Sequence, residues 1–119
     1  MNEATYRYGN DLDLDQVIEL YHAATLGERR PVDDRQIMAD MIRHANLVVT
    51  AWDGALLVGM ARTLTDFSYV GYLADLAVRQ AFQRQGIGGD RYIFLRMIFM
   101  FFLLPLRPLR LCGRYSEFR

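Results

Sequence analysis

The chain has 119 residues, enough for one domain, and its 52% hydrophobic content can supply a sizeable core. Its formal net charge is zero, which removes a general electrostatic case for nucleic acid, and all 14 basic residues are Arg, so a Walker-A phosphate loop, which needs Lys, is excluded. The single cysteine, Cys112, rules out an internal disulfide framework and a Cys-based zinc site.

The first residues, MNEATYRYGNDLDLD, are polar and acidic, unlike a secretory signal peptide. Thr5 to Tyr8 is a short β-prone opening. Asp13 then precedes a helix, and Leu14, Val17, Ile18 and Tyr21 follow the i, i+3, i+4, i+7 spacing of one helical face. Asp13 and Gln16 are spaced as a capping box. TLGERRP, Thr25 to Pro31, reads as a loop, and Glu28, Arg29 and Arg30 within it read as solvated charges. A second helix is predicted from about Asp33 to Ala45, with Met38, Met41, Ile42 and Ala45 on its apolar face.

Two β-prone runs follow, at 47–52 and 55–64. They flank Asp53-Gly54, the pair that a two-residue type I′ hairpin favours. Trp52 at the end of the first run reads as core. Asp66 to Tyr69 is a turn. A further strand, Val70 to Val78, is apolar on both parities and is expected to be buried on both faces. Its odd member is Asp75, which shares a parity with Leu73 and Ala77. His22 and His44 show no metal-ligand spacing with each other or with a carboxylate cluster, so no metal is expected.

After this strand, LAVRQAFQRQGIGGDRY places Gly86, Gly88 and Gly89 just before an apolar segment. A helix start has unpaired N–H groups and partial positive charge, and glycine lets a phosphate approach the backbone. A strand that delivers the chain to such a turn is a phosphate-binding arrangement. Arg84 or Arg79 could add charge. The dinucleotide pattern G-x-G-x-x-G fails, because its third position is Arg91 and no suitable acid follows about 20 residues on.

Gln83-x-x-Gly86-x-Gly88 resembles the [Q/R]-x-x-G-x-[G/A] signature of the GNAT acyltransferase superfamily. Leu76-Ala77-Val78 leads into it as that family's central strand does. The order strand, two helices, hairpin, central strand, glycine turn and helix resembles that fold over about residues 5–95. The resemblance implies an α/β fold, a GNAT-like mixed sheet with flanking helices, truncated or altered at its C-terminus. It implies an acetyl-CoA-dependent N-acetyltransferase acting on an amine acceptor, either a small molecule or a protein, in the cytoplasm. The CoA pyrophosphate would sit on backbone amides around Arg84, Gln85, Gly86, Ile87, Gly88 and Gly89, next to Gln83. The pantetheine arm would pair with the backbone of Leu76, Ala77 and Val78, beside a splay or bulge. A backbone N–H there would polarise the thioester carbonyl.

Asp75 is the candidate general base. Desolvation on an apolar strand face raises a carboxyl pKa towards the working range, and the family often places a carboxylate on this strand. The structural alternatives are that a bulge turns Asp75 outwards, or that it caps or pairs with a nearby Arg. Tyr69 and Tyr72 are candidates for an acceptor pocket, or core residues with bonded hydroxyls. The resemblance also implies that the loop of Glu28, Arg29 and Arg30, between the first two helices, helps to shape the acceptor site.

The family pattern stops near residue 95. Residues 1–90 carry a net charge of −5 and residues 91–119 a net +5. Asp90 to Leu104, DRYIFLRMIFMFFLL, is apolar nearly all round, where a GNAT helix would be amphipathic. Pro105 and Pro108 end it. The whole chain is therefore expected to be one domain, with a GNAT-like core at 1–90 and an atypical apolar helix and Arg-rich tail at 91–119. A truncated or frame-shifted tail is the first explanation and completion by another subunit the second. Membrane contact ranks third, since Tyr92 to Leu106 spans 15 residues and contains Arg96. Tyr115 is the one tail tyrosine that could protonate a departing thiolate. The rival function is a non-catalytic interaction or membrane-surface protein that uses the apolar helix 92–104, which could also pair copies of the chain.

Overall fold

The computed structural model describes residues 4–83 and 110–111. Its elements run β1 (Thr5–Tyr8), α1 (Leu14–Ala23), a 3-10 turn (Leu26–Arg29), α2 (Arg35–His44), β2 (Leu47–Asp53), β3 (Leu56–Thr65), β4 (Val70–Val78), α3 (Gln80–Gln83) and β5 (Arg110–Leu111). The strands form one sheet in the order β1-β2-β3-β4-β5. The first three pairings are antiparallel, and β4 with β5 is parallel, through Val70 with Arg110 and Gly71 with Leu111. The sheet is therefore mixed. The tail supplies a strand that its sequence does not announce. The predicted helix 92–104 lies outside the described residues.

Both long helices begin on aspartate caps. The Asp13 carboxylate accepts from the Asp15 N–H at 3.0 Å, and Asp34 accepts from the Ile37 N–H at 3.1 Å. The expected capping box does not close: Gln16 turns away and donates to the Ala55 carbonyl at 3.3 Å, tying α1 to the hairpin. Asn10 donates its amide to the carbonyls of Ile42, Arg43 and Ala45, which fixes the end of α2 against the chain leaving β1.

The hairpin turns one residue later than predicted. Asp53 pairs with Leu56 as part of the ladder, and the two loop residues are Gly54 and Ala55. Gly54 has φ +60° while Ala55 stays in the ordinary negative region. Positive φ at the first loop residue alone is the Gly-first type II′ pattern, not the type I′ turn expected of Asp53-Gly54.

Two apolar clusters sandwich the sheet. On one face, Val17, Leu20 and Tyr21 of α1 and Met38 and Ile42 of α2 pack against Val48, Trp52, Leu57, Met60 and Ala77. On the other, Val49, Ala51, Val58, Ala61, Leu73 and Val78 pack with Phe82 of α3. β2, from Leu47 to Trp52, is buried on both faces, and so is β3 from Leu57 to Ala61. β4, which sequence reading puts in that position, instead alternates between buried and partly exposed residues.

Two bulges shape the sheet. Ala51 pairs with Gly59 but Trp52 pairs with Leu57, so Val58 is extra in β3. Arg62 pairs with Asp75 but Thr63 pairs with Leu73, so Ala74 is extra in β4. An extra residue offsets the two-residue alternation. Leu73 therefore joins the cluster shared with Phe82, while Ala77 joins the helix side. The parity that sequence reading assigns to Leu73, Asp75 and Ala77 holds for the last two only.

Candidate functional site

Asp75 is 2% exposed and its side chain points to the helix face. Its Oδ1 accepts from Arg30 Nε at 2.6 Å, and its Oδ2 accepts from Arg62 Nε at 2.6 Å and from the Tyr21 hydroxyl at 2.7 Å. Three elements thus converge on one carboxylate: α1 through Tyr21, the loop after the 3-10 turn through Arg30, and β3 through Arg62. Arg30 continues past it, donating from Nη2 to the Ala74 carbonyl at 3.2 Å and from Nη1 to the Arg29 carbonyl at 2.8 Å.

The electrostatics reverse the expectation for Asp75. Burial alone would raise its pKa, but the hydrogen bond and charge of Arg62, with the bonds from Tyr21 and Arg30, outweigh it. The carboxyl is held below its ordinary value and is ionised throughout the neutral range. Burial pushes the Tyr21 phenol up, and the adjacent Asp75 charge pushes it further, so Tyr21 remains a neutral donor. For Arg62, burial alone would lower the pKa, yet the bond and charge of Asp75 raise it. The cluster holds one anion and two cations, a fixed net +1. Of the alternatives for Asp75, pairing with arginine is the one found.

Leu76, Ala77 and Val78 complete β4 next to this cluster. Ala77 and Val78 are buried and Leu76 is half-buried. Across the sheet they face Ala61, Met60 and Gly59 of β3. On the other edge, among the described residues, β5 meets β4 at Val70 and Gly71. Gln83 ends α3, a helical turn that sequence reading leaves as loop. Arg84, Gln85, Gly86, Ile87, Gly88 and Gly89 lie outside the described residues, as do Cys112 and Tyr115.

Arg79, a candidate phosphate ligand by sequence, is engaged elsewhere. It forms a two-pronged ion pair with Glu19 of α1 and donates from Nη2 to the Leu57 carbonyl at 2.9 Å. Arg30, read from sequence as a solvated charge, is part of the buried cluster instead. Glu28 and Arg29 are exposed, as expected. Tyr69 and Tyr72 are exposed at 62% and 39%, so they are not core. Trp52 is core: its Nε1 donates to Thr50 Oγ1 at 2.8 Å, and Arg7 lies 4.5 Å from its ring centroid. Among the described residues, no group of three or more His, Cys, Asp or Glu is placed to hold a metal.

Sequence reading missed Tyr21 and Arg62 as partners of Asp75. One signal was present. Arg62 interrupts an apolar strand one hairpin away from a second apolar strand interrupted by Asp75, and opposite charges directly across a ladder attract.

The family model described as "Acetyltransferase (GNAT) family" matches residues 14–90. The chain belongs to the GNAT acetyltransferase family. The match runs from α1 through β4 and the whole glycine stretch. No curated protein matches the chain. Among solved structures, a GNAT-family acetyltransferase of Streptococcus pneumoniae shares 22% identity at TM-score 0.59, covering 97% of this chain and 79% of its own. A protein of unknown function from meticillin-resistant Staphylococcus aureus shares 20% at TM-score 0.64, covering 96% and 82%. An aminoglycoside acetyltransferase from an uncultured soil sample, solved with sisomicin, shares 18% at TM-score 0.61, covering 98% and 81%. At these identities the likeness concerns the fold. GNAT proteins take the acetyl group from acetyl-CoA, and in this GNAT chain only Asp75 separates the extra residue of β4, Ala74, from Leu76–Val78.

Proposed function

We propose that this GNAT chain moves the acetyl group of acetyl-CoA to an amine, with the cofactor lying along the end of β4. In this reading the diphosphate rests on backbone amides from Arg84 to Gly89, and the pantetheine runs beside Leu76, Ala77 and Val78. A backbone N–H of that strand polarises the thioester carbonyl. A deprotonated amine attacks it, the C–S bond breaks as the N–C bond forms, and CoA leaves as a thiolate that takes up a proton. The family match across residues 14–90 carries this reading, because it spans both the strand and the glycine stretch. The bulge at Ala74 supports it.

Asp75 enters this proposal as an ionised anchor for Arg30 and Arg62, with a base role as the alternative that a pH profile separates. Sisomicin, bound by one structural relative, is a first amine to assay; the acceptor class extends to small-molecule and protein amines. The reading places the protein in the cytoplasm, where acetyl-CoA is available. The switch in charge after residue 90, at the end of the family match, favours a second reading, a non-catalytic interaction or membrane-surface protein that uses its apolar segment 92–104.

Titration calorimetry with CoA tests the site directly. Binding by the wild type that disappears in Gly86→Asp and in Gly88→Asp is expected, since each places a carboxylate at the diphosphate. A folded, monodisperse sample that gives no heat with CoA overturns the acetyltransferase reading. Thiol release from acetyl-CoA with sisomicin then separates turnover from binding alone.

A further inference from the structure

Arg30 differs from the other residues around Asp75 in where it comes from. Tyr21 belongs to a helix and Arg62 to the neighbouring strand, whereas Arg30 follows the 3-10 turn in the connection between α1 and α2. That connection starts at Thr25, whose φ of +65° is left-handed, an uncommon and costly choice for a β-branched residue. The strained turn leads the chain to β4, where the Arg30 side chain grips two successive residues. Nε meets the Asp75 carboxylate at 2.6 Å and Nη2 meets the Ala74 carbonyl at 3.2 Å. Ala74 is the extra residue of the bulge, and an extra residue drops out of the regular ladder. The rigid planar fork of one guanidinium therefore fixes the displaced peptide and the side chain that follows it. The next residues are Leu76, Ala77 and Val78, which rejoin the ladder to β3.

Resting on the acetyltransferase reading above, we propose that Arg30 is a positioning residue for acyl transfer: by clamping Ala74 and Asp75 together, it aims the backbone of Leu76–Val78 at the thioester carbonyl. It touches neither substrate and acts through the strand. The diphosphate site is some residues further along the chain, so CoA affinity and carbonyl polarisation respond separately to its loss.

The test uses the full chain, acetyl-CoA carrying 13C at its carbonyl, and the variants Arg30→Gln and Arg30→Lys. Calorimetry reads CoA affinity, and the 13C resonance of the bound carbonyl reads its hydrogen bonding. The wild type is expected to bind CoA and to move the carbonyl resonance downfield. Both variants are expected to keep CoA affinity and to lose that shift. Lysine retains a cation beside Asp75, but one ammonium does not reproduce the two-pronged grip on carboxylate and carbonyl. A merely structural role would leave the carbonyl resonance of the folded variants at the wild-type position, and that result overturns the proposal. Wild-type CoA binding without any carbonyl shift overturns it as well. Absence of CoA binding by the wild type overturns the acetyltransferase reading itself, and the proposal falls with it. Should Arg30→Gln fail to fold, Arg30→Lys carries the measurement; unfolding of both assigns Arg30 to stability and rejects the positioning role.

Discussion

Asp75 takes a place where an apolar side chain would continue the pattern of β4, and three donors keep it charged there. Removing one partner of a buried ion pair leaves the other charge uncompensated, so Asp75→Asn is expected to cost about 3 kcal/mol or more in urea unfolding. The pH dependence follows from the direction of the shift. The carboxyl pKa is lowered by folding, so the stabilisation is complete above the ordinary carboxylate value of about 3.9 and is lost as pH falls through the folded-state value. The difference between wild type and Asp75→Asn should therefore be flat from neutral pH down to pH 5 and should shrink below about pH 4. A difference that grows or vanishes near neutrality would contradict the ionised assignment. A base titrating near neutrality gives an acid limb in kcat there, whereas an ionised anchor gives none. Tyr21→Phe deletes one donor to a charged acceptor and is expected to cost about 1.5–3 kcal/mol, a smaller loss than removing the carboxylate.

At the level of elements, the strands and helices follow directly from local chemistry. Val17 and Tyr21, or Met38 and Ile42, recur at helical spacing and are buried; Asp34 and Asp13 cap the helices; β4 has the predicted bounds. What the sequence hides is offset. An extra residue at Val58 or Ala74 leaves no compositional mark, because a bulge is set by pairing with a distant strand. Leu73 departs from its expected parity at that point, while Asp75 keeps its side of the sheet and pairs with arginine, one of the alternatives open to it. Arg30 is hidden for the same reason: its partner is 45 residues away, and locally it looks like one charge among several in ERRP. The hairpin offers a check on the observed turn. Gly54 has a left-handed φ with open space around its Cβ position, so the cost of Gly54→Ala is conformational and not steric. A loss of about 1 kcal/mol in denaturant unfolding is expected. A neutral result would mean that the turn tolerates an L-residue in another conformation.

For the molecule as a whole, the proposed cofactor and the fold are thermodynamically linked. A ligand that binds only the native state adds stability by mass action, about 2.7 kcal/mol at a hundredfold excess over Kd. CoA is expected to raise the melting temperature of the wild type and to leave Gly88→Asp unchanged. Equal shifts in both would place CoA away from the glycine stretch. α1 is joined to the end of β4 by Glu19 and Arg79, and to its middle by Tyr21 and Asp75.

Were Ala74 absent, Leu73 and Asp75 would be adjacent, simple alternation would already send them to opposite sides, and Asp75 would still lie across from Arg62 with an unbroken ladder. An eight-residue version of the strand would thus build the same sandwich. What the ninth residue adds is a bend and a carbonyl that Arg30 holds. Deleting Ala74 is therefore expected to leave the protein folded with a straighter strand, and, on the proposed reading, to abolish the downfield 13C shift of bound acetyl-CoA.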